Sequence, residues 1–278
     1  MESLNTNNFL NLVGYIINIL VTFSASSIFS FPDNAALSEK YQTLVVTPTA
    51  GRTFAIWGIT FLFQGIFAIV QMLPKYRSNT VIHEGVSHWY FIACIFQAAW
   101  TFAFGYEVIW LSCVFMGGIL FSLLQIVKKQ VKIQSTMIDF WLFKFPFSLH
   151  CGWIAAAFAV NVNIFVYAAG AQAGAQLNWS YLTLGYAVLV AVFSLVHLSP
   201  PDFTIPSVLV WATIGIASEL KNPKDGIVAS FAEGQIDTFR SCVIAVCVIT
   251  ALTTAGYAGY RVYEKINARS TSGEYSQM

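Results

Sequence analysis

Charged residues are scarce in this sequence, and their scarcity decides its class. Asp, Glu, Lys and Arg make up 10% of the 278 residues, and 57% of the residues are hydrophobic. Soluble domains carry roughly 25% charged residues. Long apolar runs between short polar stretches are typical of helices that cross a bilayer. The composition therefore predicts an all-α, polytopic membrane helix bundle, with the lipid bilayer as its first partner.

Other absences exclude several classes of function. The net charge of +1 leaves no basic surplus for a nucleic-acid partner. The five cysteines lie in apolar runs without a CxxC pair, which argues against a disulfide framework or a zinc site. No P-loop, glycine-rich dinucleotide turn or nucleophile elbow is present. Residues 1–8 contain no Lys or Arg, so we expect the first apolar run to be a retained helix rather than a cleaved signal.

The apolar runs divide into eight predicted membrane spans. We place them at residues 9–30, 52–72, 88–104, 108–127, 145–169, 179–198, 203–218 and 237–260. Connections on one side, together with the C-terminal segment, carry eight Lys and Arg residues, and the other side carries five. By the positive-inside rule, this bias places both termini on the cytosolic or equivalent side.

The fifth span combines apolar character with polar side chains at helical spacing. At about 100° per residue, one face carries Pro146, His150, Trp153, Ala157 and Asn161. Gly152 and Ala156 lie on roughly the opposite face, with spacing that lets another helix approach closely. Polar groups at membrane depth often mark function, although hydrogen bonding between helices would also account for them.

Two earlier spans carry aromatic and amide residues on one face each. The second span presents Phe54, Trp57, Phe61 and Gln64, and the third presents Gln97, Trp100 and Phe104. If these faces met that of the fifth span, they would form an aromatic-walled chamber suited to a flat, largely apolar ligand. Packing stripes or interfacial belts are the alternative, and spacing alone does not separate the two.

These motifs resemble the translocator protein / tryptophan-rich sensory protein (TspO/MBR) family, particularly its longer members. The family's Pro-x-x-Gly-x-x-Phe-x-x-Trp motif is matched by Pro48, Gly51, Phe54 and Trp57. Its third-helix pattern is matched by Gln97, Trp100, Thr101 and Phe104, with Gln and Thr in place of the usual Asn and Ser. Its fifth-helix pattern is matched by Trp153, Ala157 and Asn161.

The resemblance implies a fold and an organisation of the chain. Residues 1–170 would form a TspO-like five-helix core, residues 171–262 would add about three transmembrane helices, and residues 263–278 would be a polar, flexible tail. A pocket would lie under the loop at residues 33–50, with Tyr41 and Leu44 as lid residues. The family's ligands include porphyrins, haem and other hydrophobic small molecules, and some bacterial members are associated with light-dependent porphyrin breakdown.

From this resemblance we expect a protein that binds a planar hydrophobic ligand, a tetrapyrrole, for sensing, transport or turnover. No cofactor is expected to be obligatory; a porphyrin or haem would be the ligand. Trp57, Trp100 and Trp153 would form the walls, with Phe54, Phe61, Phe104 and Ala157 beside them. Polar contacts would come from Gln97, His150 and Asn161, and Arg52 would meet a propionate.

Catalysis has little support in the sequence, so we lean towards a binding protein rather than an enzyme. Glu107, Asp139, Glu219 and Asp237 all lie at predicted span ends or in connections, where they form no acid–base pair. Photochemical breakdown would need only tryptophans beside a porphyrin and stays open. So does axial ligation of haem by two of His88, His150 and His197. The alternatives are a transporter and a structural subunit of a membrane complex, and a homodimer is a further expected assembly.

Overall fold

The computed structural model describes residues 4–32, 40–41, 44–48 and 52–275, with side chains up to residue 268. Within that part the chain is helical and contains no strand. Gly51 and most of the loop at 33–50 lie outside the described residues. The helices are α1 Thr6–Phe29, α2 Ile56–Val70, α3 Trp89–Gly105, α4 Ile109–Gln130, α5 Met137–Ala168, α6 Ala173–His197, α7 Thr204–Glu219, α8 Asp225–Ser230 and α9 Glu233–Tyr275.

Eight of these helices correspond to the eight predicted spans. In the described part of the chain, five are long and apolar enough to cross a membrane: α1, α4, α5, α6 and α9. The other three, α2, α3 and α7, are apolar but have only 15 to 17 residues. At 1.5 Å per residue they rise roughly 22–26 Å, somewhat less than a hydrocarbon core of about 30 Å. The chain is therefore a multi-pass membrane protein built as an all-α bundle.

Helix α5 begins eight residues before its predicted start at residue 145. Thr136 and Asp139 form a capping box, in which the Asp139 amide donates to Thr136 Oγ1 at 3.1 Å. A π-helical stretch at Phe140–Lys144 then leads into the turn that contains Pro146. Proline has no N–H to continue the usual ladder, and a widened turn just before it accommodates that loss. The α-helical part that follows begins at Phe145, as predicted, and the capping box and π-helical stretch extend it towards the N-terminus.

Two later helices also differ from their predicted bounds. Helix α6 begins at Ala173 rather than at residue 179, and α9 extends from Glu233 to Tyr275, beyond the predicted end at residue 260. The division into a core at 1–170, added helices at 171–262 and a tail at 263–278 stays a prediction. Contacts between helices nevertheless cross the first of these boundaries, because α5 packs against both α6 and α7.

The approach of α7 to α5 depends on a glycine. A Cβ at Gly152 would lie 2.9 Å from the Cβ of Val208 and 3.1 Å from the carbonyl oxygen of Ile205. Helices in lipid gain stability mainly from such close van der Waals packing, since lipid tails are as apolar as the side chains. The small-residue face predicted on the fifth span therefore receives α7, one of the three C-terminal helices.

A buried carboxylate fixes the start of α7. Asp202 Oδ1 accepts hydrogen bonds from the amides of Thr204 at 2.8 Å and Ile205 at 3.0 Å. Ser148 of α5 donates to the other carboxylate oxygen. Burial raises the pKa of Asp202 above its ordinary value, although these hydrogen bonds act in the opposite direction. Asp202 thus ties α7 to α5 at the end of the bundle where α7 begins.

Candidate functional site

Helices α2 and α5 bring five of the predicted site residues together, and we call these residues the Trp57 cluster: Phe54, Trp57, Phe61, His150 and Trp153. The Trp57 ring lies 5.9 Å from that of His150 and 6.1 Å from that of Trp153, both nearly edge-on. Phe61 stacks on Trp57 at 5.7 Å, and Phe54 meets Trp153 edge-on at 5.6 Å. The cluster forms because the second and fifth spans each place these residues on one helical face.

A chain of buried hydrogen bonds holds His150 in place. The side-chain amide nitrogen of Gln64 lies 2.7 Å from His150 Nδ1. The Tyr90 hydroxyl donates a hydrogen bond to Gln64 Oε1 at 3.4 Å. Because Gln64 Oε1 accepts from Tyr90, its NH₂ group donates to His150 Nδ1. Nδ1 is then the acceptor of a neutral imidazole, and Nε2 carries the proton. His150 therefore presents an N–H group on the side of its ring away from Gln64.

That N–H group has no hydrogen-bond partner among the described residues. His150 Nε2 and Trp153 Nε1 are both buried and unpaired, and so is Gln97 Oε1 on α3. The His150 and Trp153 side chains are 1% and 2% exposed, so neither of their donors is satisfied by bulk water. An unsatisfied buried donor costs about 1–3 kcal/mol, and such groups call for an explanation. The Trp57 cluster thus carries two donors that a bound acceptor would satisfy.

Three other predicted site residues form a second group, which we call the Asn161 cluster: Trp100, Phe104 and Asn161. Trp100 Nε1 donates to Asn161 Oδ1 at 2.8 Å. The Trp100 ring stacks on that of Phe104, with the ring centroids 5.1 Å apart. Asn161 Nδ2 donates to Ser112 Oγ at 2.9 Å and approaches Cys113 Sγ at 3.1 Å. Both polar atoms of the Asn161 amide are therefore used to join α5 to α3 and α4.

The two clusters lie along one face of α5. Trp153, Ala157 and Asn161 follow each other at intervals of four residues, so Trp153 and Asn161 are about 12 Å apart along the axis. Ala157 lies between them and is half-buried, as are Trp57 and Trp100. The predicted residues thus form two groups separated by a small side chain.

The loop before α2 packs over the end of the bundle nearest the Asn161 cluster. Tyr41 meets Phe104 at 6.3 Å and Tyr167 at 6.0 Å, and it donates to Glu107 Oε2 at 3.0 Å. Lys40 forms an ion pair with the same carboxylate. Leu44 is buried as well. The two residues expected to act as a lid are therefore packed on the bundle.

These contacts shift the pKa values of both loop partners. The hydrogen bond from Lys40, helped by that from Tyr41, lowers the pKa of Glu107 below its ordinary value against the opposing effect of burial. Burial, reinforced by the neighbouring Glu107 carboxylate, raises the pKa of Tyr41 to about 12. Near neutral pH the pair is therefore a carboxylate that accepts from a neutral phenol.

Arg52, the expected propionate partner, is exposed just before α2, and no ion pair with another described residue holds it. The next residue, Thr53, accepts a hydrogen bond from Trp211 Nε1 of α7 at 3.1 Å. A Cβ at Gly215 would lie 2.4 Å from Thr53 Oγ1. Helix α7 therefore supports the start of α2, a role that the sequence pattern did not predict.

The three histidines considered for haem ligation have separate neighbours. His150 lies in the Trp57 cluster, His88 has its ring 5.1 Å from that of Trp89, and His197 lies 5.8 Å from Phe193. In the part of the chain that the structure describes, no group of three or more His, Cys, Asp or Glu residues is placed to hold a metal ion.

Comparison with known proteins gives one match. The family model described as TSPO-like protein matches residues 8–259, which is most of the chain. No curated protein and no solved structure matches this chain.

Proposed function

The chain belongs to the TSPO-like protein family, and on that premise we propose that this membrane protein binds a planar, largely apolar ligand, a tetrapyrrole, at the Trp57 cluster. The proposal covers binding as the step common to sensing, transport and turnover. The ligand would be a porphyrin or haem, held without an obligatory cofactor.

The observation that carries the proposal is the pair of unpaired buried donors beside three aromatic rings. Trp57 and Trp153 are edge-on at 6.1 Å, and His150 Nε2 and Trp153 Nε1 lack partners among the described residues. Aromatic walls suit a flat apolar ring, and the few polar groups orient it. A tetrapyrrole offers both, because its carboxylates accept hydrogen bonds and its macrocycle packs on indole rings.

Each of the remaining predicted residues has its own role in this proposal. Ala157 separates the two clusters along α5 and, with Trp100 of α3, would line the ligand site. Gln97 would turn its unpaired Oε1 towards a ring N–H of the ligand. Arg52 is exposed before α2 and free of ion pairs with the described residues, so a propionate is a suitable partner. Asn161 instead braces the wall, since Trp100 and Ser112 already occupy its amide.

The test is a titration of the full chain in nanodiscs with protoporphyrin IX, in the dark. The Soret band of the porphyrin reports binding independently of the number of tryptophans. We expect a saturable shift that His150→Phe weakens by about tenfold or more, because a hydrogen bond to a charged group contributes about 1.5–3 kcal/mol. Trp153→Phe should weaken it through loss of its Nε1 donor.

The matched control is Trp110→Phe, since Trp110 is 59% exposed on α4 and far from the unpaired donors in sequence. It should bind like the unchanged protein. Monodisperse elution and an unchanged thermal midpoint would show that each variant is folded. A linear, non-saturating response that is the same in all four proteins would overturn the tetrapyrrole proposal. The transporter and complex-subunit readings would then be tested.

A further inference from the structure

Helices α7 and α9 run antiparallel and in a regular register. Arg240 Nε donates to the Ala217 carbonyl at 3.3 Å, and Cys247 Sγ lies 4.0 Å from the Val210 carbonyl oxygen. A step of seven residues along α9 thus corresponds to a step of seven residues back along α7. The end of α7 therefore lies beside the beginning of α9.

A groove of about 290 Å³ follows this helix pair, and we call it the basic groove. Its lining consists of Ile214, Ala217, Ser218, Lys221, Arg240, Ile244, Cys247 and Val248. The two cations lie towards the end of α7, and the side chains further along are apolar. Ile214, Ile244 and Val248 are each 40–50% exposed and so face the surroundings of the bundle.

The charge of the groove is uncompensated by the described part of the protein. Neither Lys221 nor Arg240 forms an ion pair with a described residue. Glu219 and Asp237 are the acidic residues nearest to them in sequence, yet neither lines the groove. The hydrogen bond to Ala217 uses Nε of Arg240, whose side chain also lines the groove. A guanidinium presented in this way suits bidentate binding of phosphate.

The position of the groove indicates that its ligand comes from the bilayer. Lys221 follows the end of α7, and Arg240 lies in the third turn of α9, so both cations lie near the ends of the helix pair. Headgroups lie at this level of a bilayer, and acyl chains lie beside the apolar residues below. Basic pockets between transmembrane helices on the cytoplasmic or matrix side bind anionic headgroups. In the predicted topology this groove lies on the side opposite to both termini. A soluble anion would gain nothing from Ile214, Ile244 or Val248.

We propose that the basic groove binds an anionic phospholipid, with its phosphate between Lys221 and Arg240 and an acyl chain along Ile214, Ile244 and Val248. This lipid site is separate from the Trp57 cluster and does not depend on tetrapyrrole binding. It would fill the open side of the α7–α9 pair, and α7 in turn supports the beginning of α2.

The test reconstitutes the full chain into nanodiscs of phosphatidylcholine with a minor fraction of phosphatidylglycerol, and native mass spectrometry counts the lipids retained. We expect selective retention of phosphatidylglycerol. The double variant Lys221→Gln/Arg240→Gln should lower it by about tenfold or more, given the attraction of each basic residue to an anionic lipid surface. The matched variant Lys128→Gln/Lys129→Gln removes the same charge from exposed residues at the end of α4 and should retain the lipid.

A second variant tests the shape of the groove independently of its charge. Ser218→Trp fills the groove at an exposed position and keeps both cations, so it should also lose the lipid. If the double variant does not elute as a folded protein, this variant decides the question. Unchanged retention in the folded groove variants would overturn the proposal, as would an equal loss in Lys128→Gln/Lys129→Gln. Displacement of the lipid by glycerol 3-phosphate would overturn it as well, because the site would then be one for a soluble phosphate.

Discussion

The Trp57 cluster and the Asn161 cluster lie on the same face of α5, yet they differ in whether their buried polar atoms have hydrogen-bond partners. In the Asn161 cluster, Trp100 and Ser112 satisfy the amide of Asn161 at 2.8–2.9 Å. In the Trp57 cluster, His150 Nε2 and Trp153 Nε1 have no partner among the described residues. Both clusters contain residues that match family motifs, so a motif match does not show which cluster has unpaired polar atoms.

The difference shows which polar residues hold the bundle and which are available to a ligand. A satisfied amide between three helices contributes to stability, and its removal leaves buried partners unpaired. An unpaired buried donor destabilises the unliganded fold, so its removal should cost little stability and should instead weaken ligand binding. The two clusters are therefore expected to separate stability from binding within one helix face.

The largest effect is expected for Asn161→Ala. It leaves the indole N–H of Trp100 without its partner and removes a hydrogen bond to Ser112, whose hydroxyl still donates to the Ile109 carbonyl at 2.8 Å. We expect a loss of about 2 kcal/mol in the free energy of unfolding. Reversible unfolding in mixed micelles would measure it. Asn178→Ala is the control, since Asn178 is exposed at the second turn of α6, and its stability should change little. A loss no larger than that of the control would contradict the bracing role of Asn161.

An intermediate effect should distinguish Trp100→Phe from Trp153→Phe. Both changes remove the same atoms, but the first breaks a hydrogen bond, whereas the second removes a buried donor that has no partner among the described residues. We expect Trp100→Phe to be less stable than Trp153→Phe by about 1 kcal/mol. The same unfolding assay on both proteins would measure this difference. Equal stability of the two variants would mean that the contrast between the clusters has no energetic basis.

The smallest effect concerns the loop packed beside the Asn161 cluster. Because the pKa of Glu107 is lowered in the folded protein, its pairing with Lys40 and Tyr41 stabilises the fold above the ordinary glutamate pKa. That contribution is lost as the pH falls through the lowered value, below about 4.5. Lys40 is 56% exposed, so solvent screening should hold the effect under about 1 kcal/mol.

The check is the thermal midpoint of the unchanged protein and of Glu107→Gln between neutral pH and acid. The unchanged protein should lose its small advantage over the variant as Glu107 becomes protonated. Lys40→Gln should lose most of the same pH dependence. A constant difference between the unchanged protein and Glu107→Gln at every pH would rule out the ion pair as its source.

Much of the fold follows from apolar runs in the sequence, and the misplaced boundaries have local causes. Eight of the described helices correspond to eight apolar runs, because every buried backbone group in lipid must bond within its own helix. The helical stretch ahead of residue 145 was not predicted, although Thr136 and Asp139 form a capping box there. The predicted spans at 88–104 and 203–218 already had the lengths of α3 and α7, whereas α2 is shorter than the span predicted at 52–72, since apolar composition does not show where turns begin.

The sequence predicted which helix faces carry the candidate site, but not which of their residues hydrogen-bond to each other. Helical periodicity placed Phe54, Trp57 and Phe61 on one side of α2, where they lie together. It did not indicate that Asn161 would bind Ser112, because contacts between helices depend on register as well as on faces. The pairing of Gln64 with His150 was missed for the same reason.

The narrow gap at Gly152 has a consequence for how the protein is made. A chain emerges from the ribosome from its N-terminus, so α5 is synthesised about fifty residues before α7. Until α7 arrives, the face of α5 that carries Gly152 has no helix from its own chain to cover it. The first five helices therefore insert as an unfinished bundle, and completion of the last transmembrane segments is a late step in assembling the wall beside Trp153.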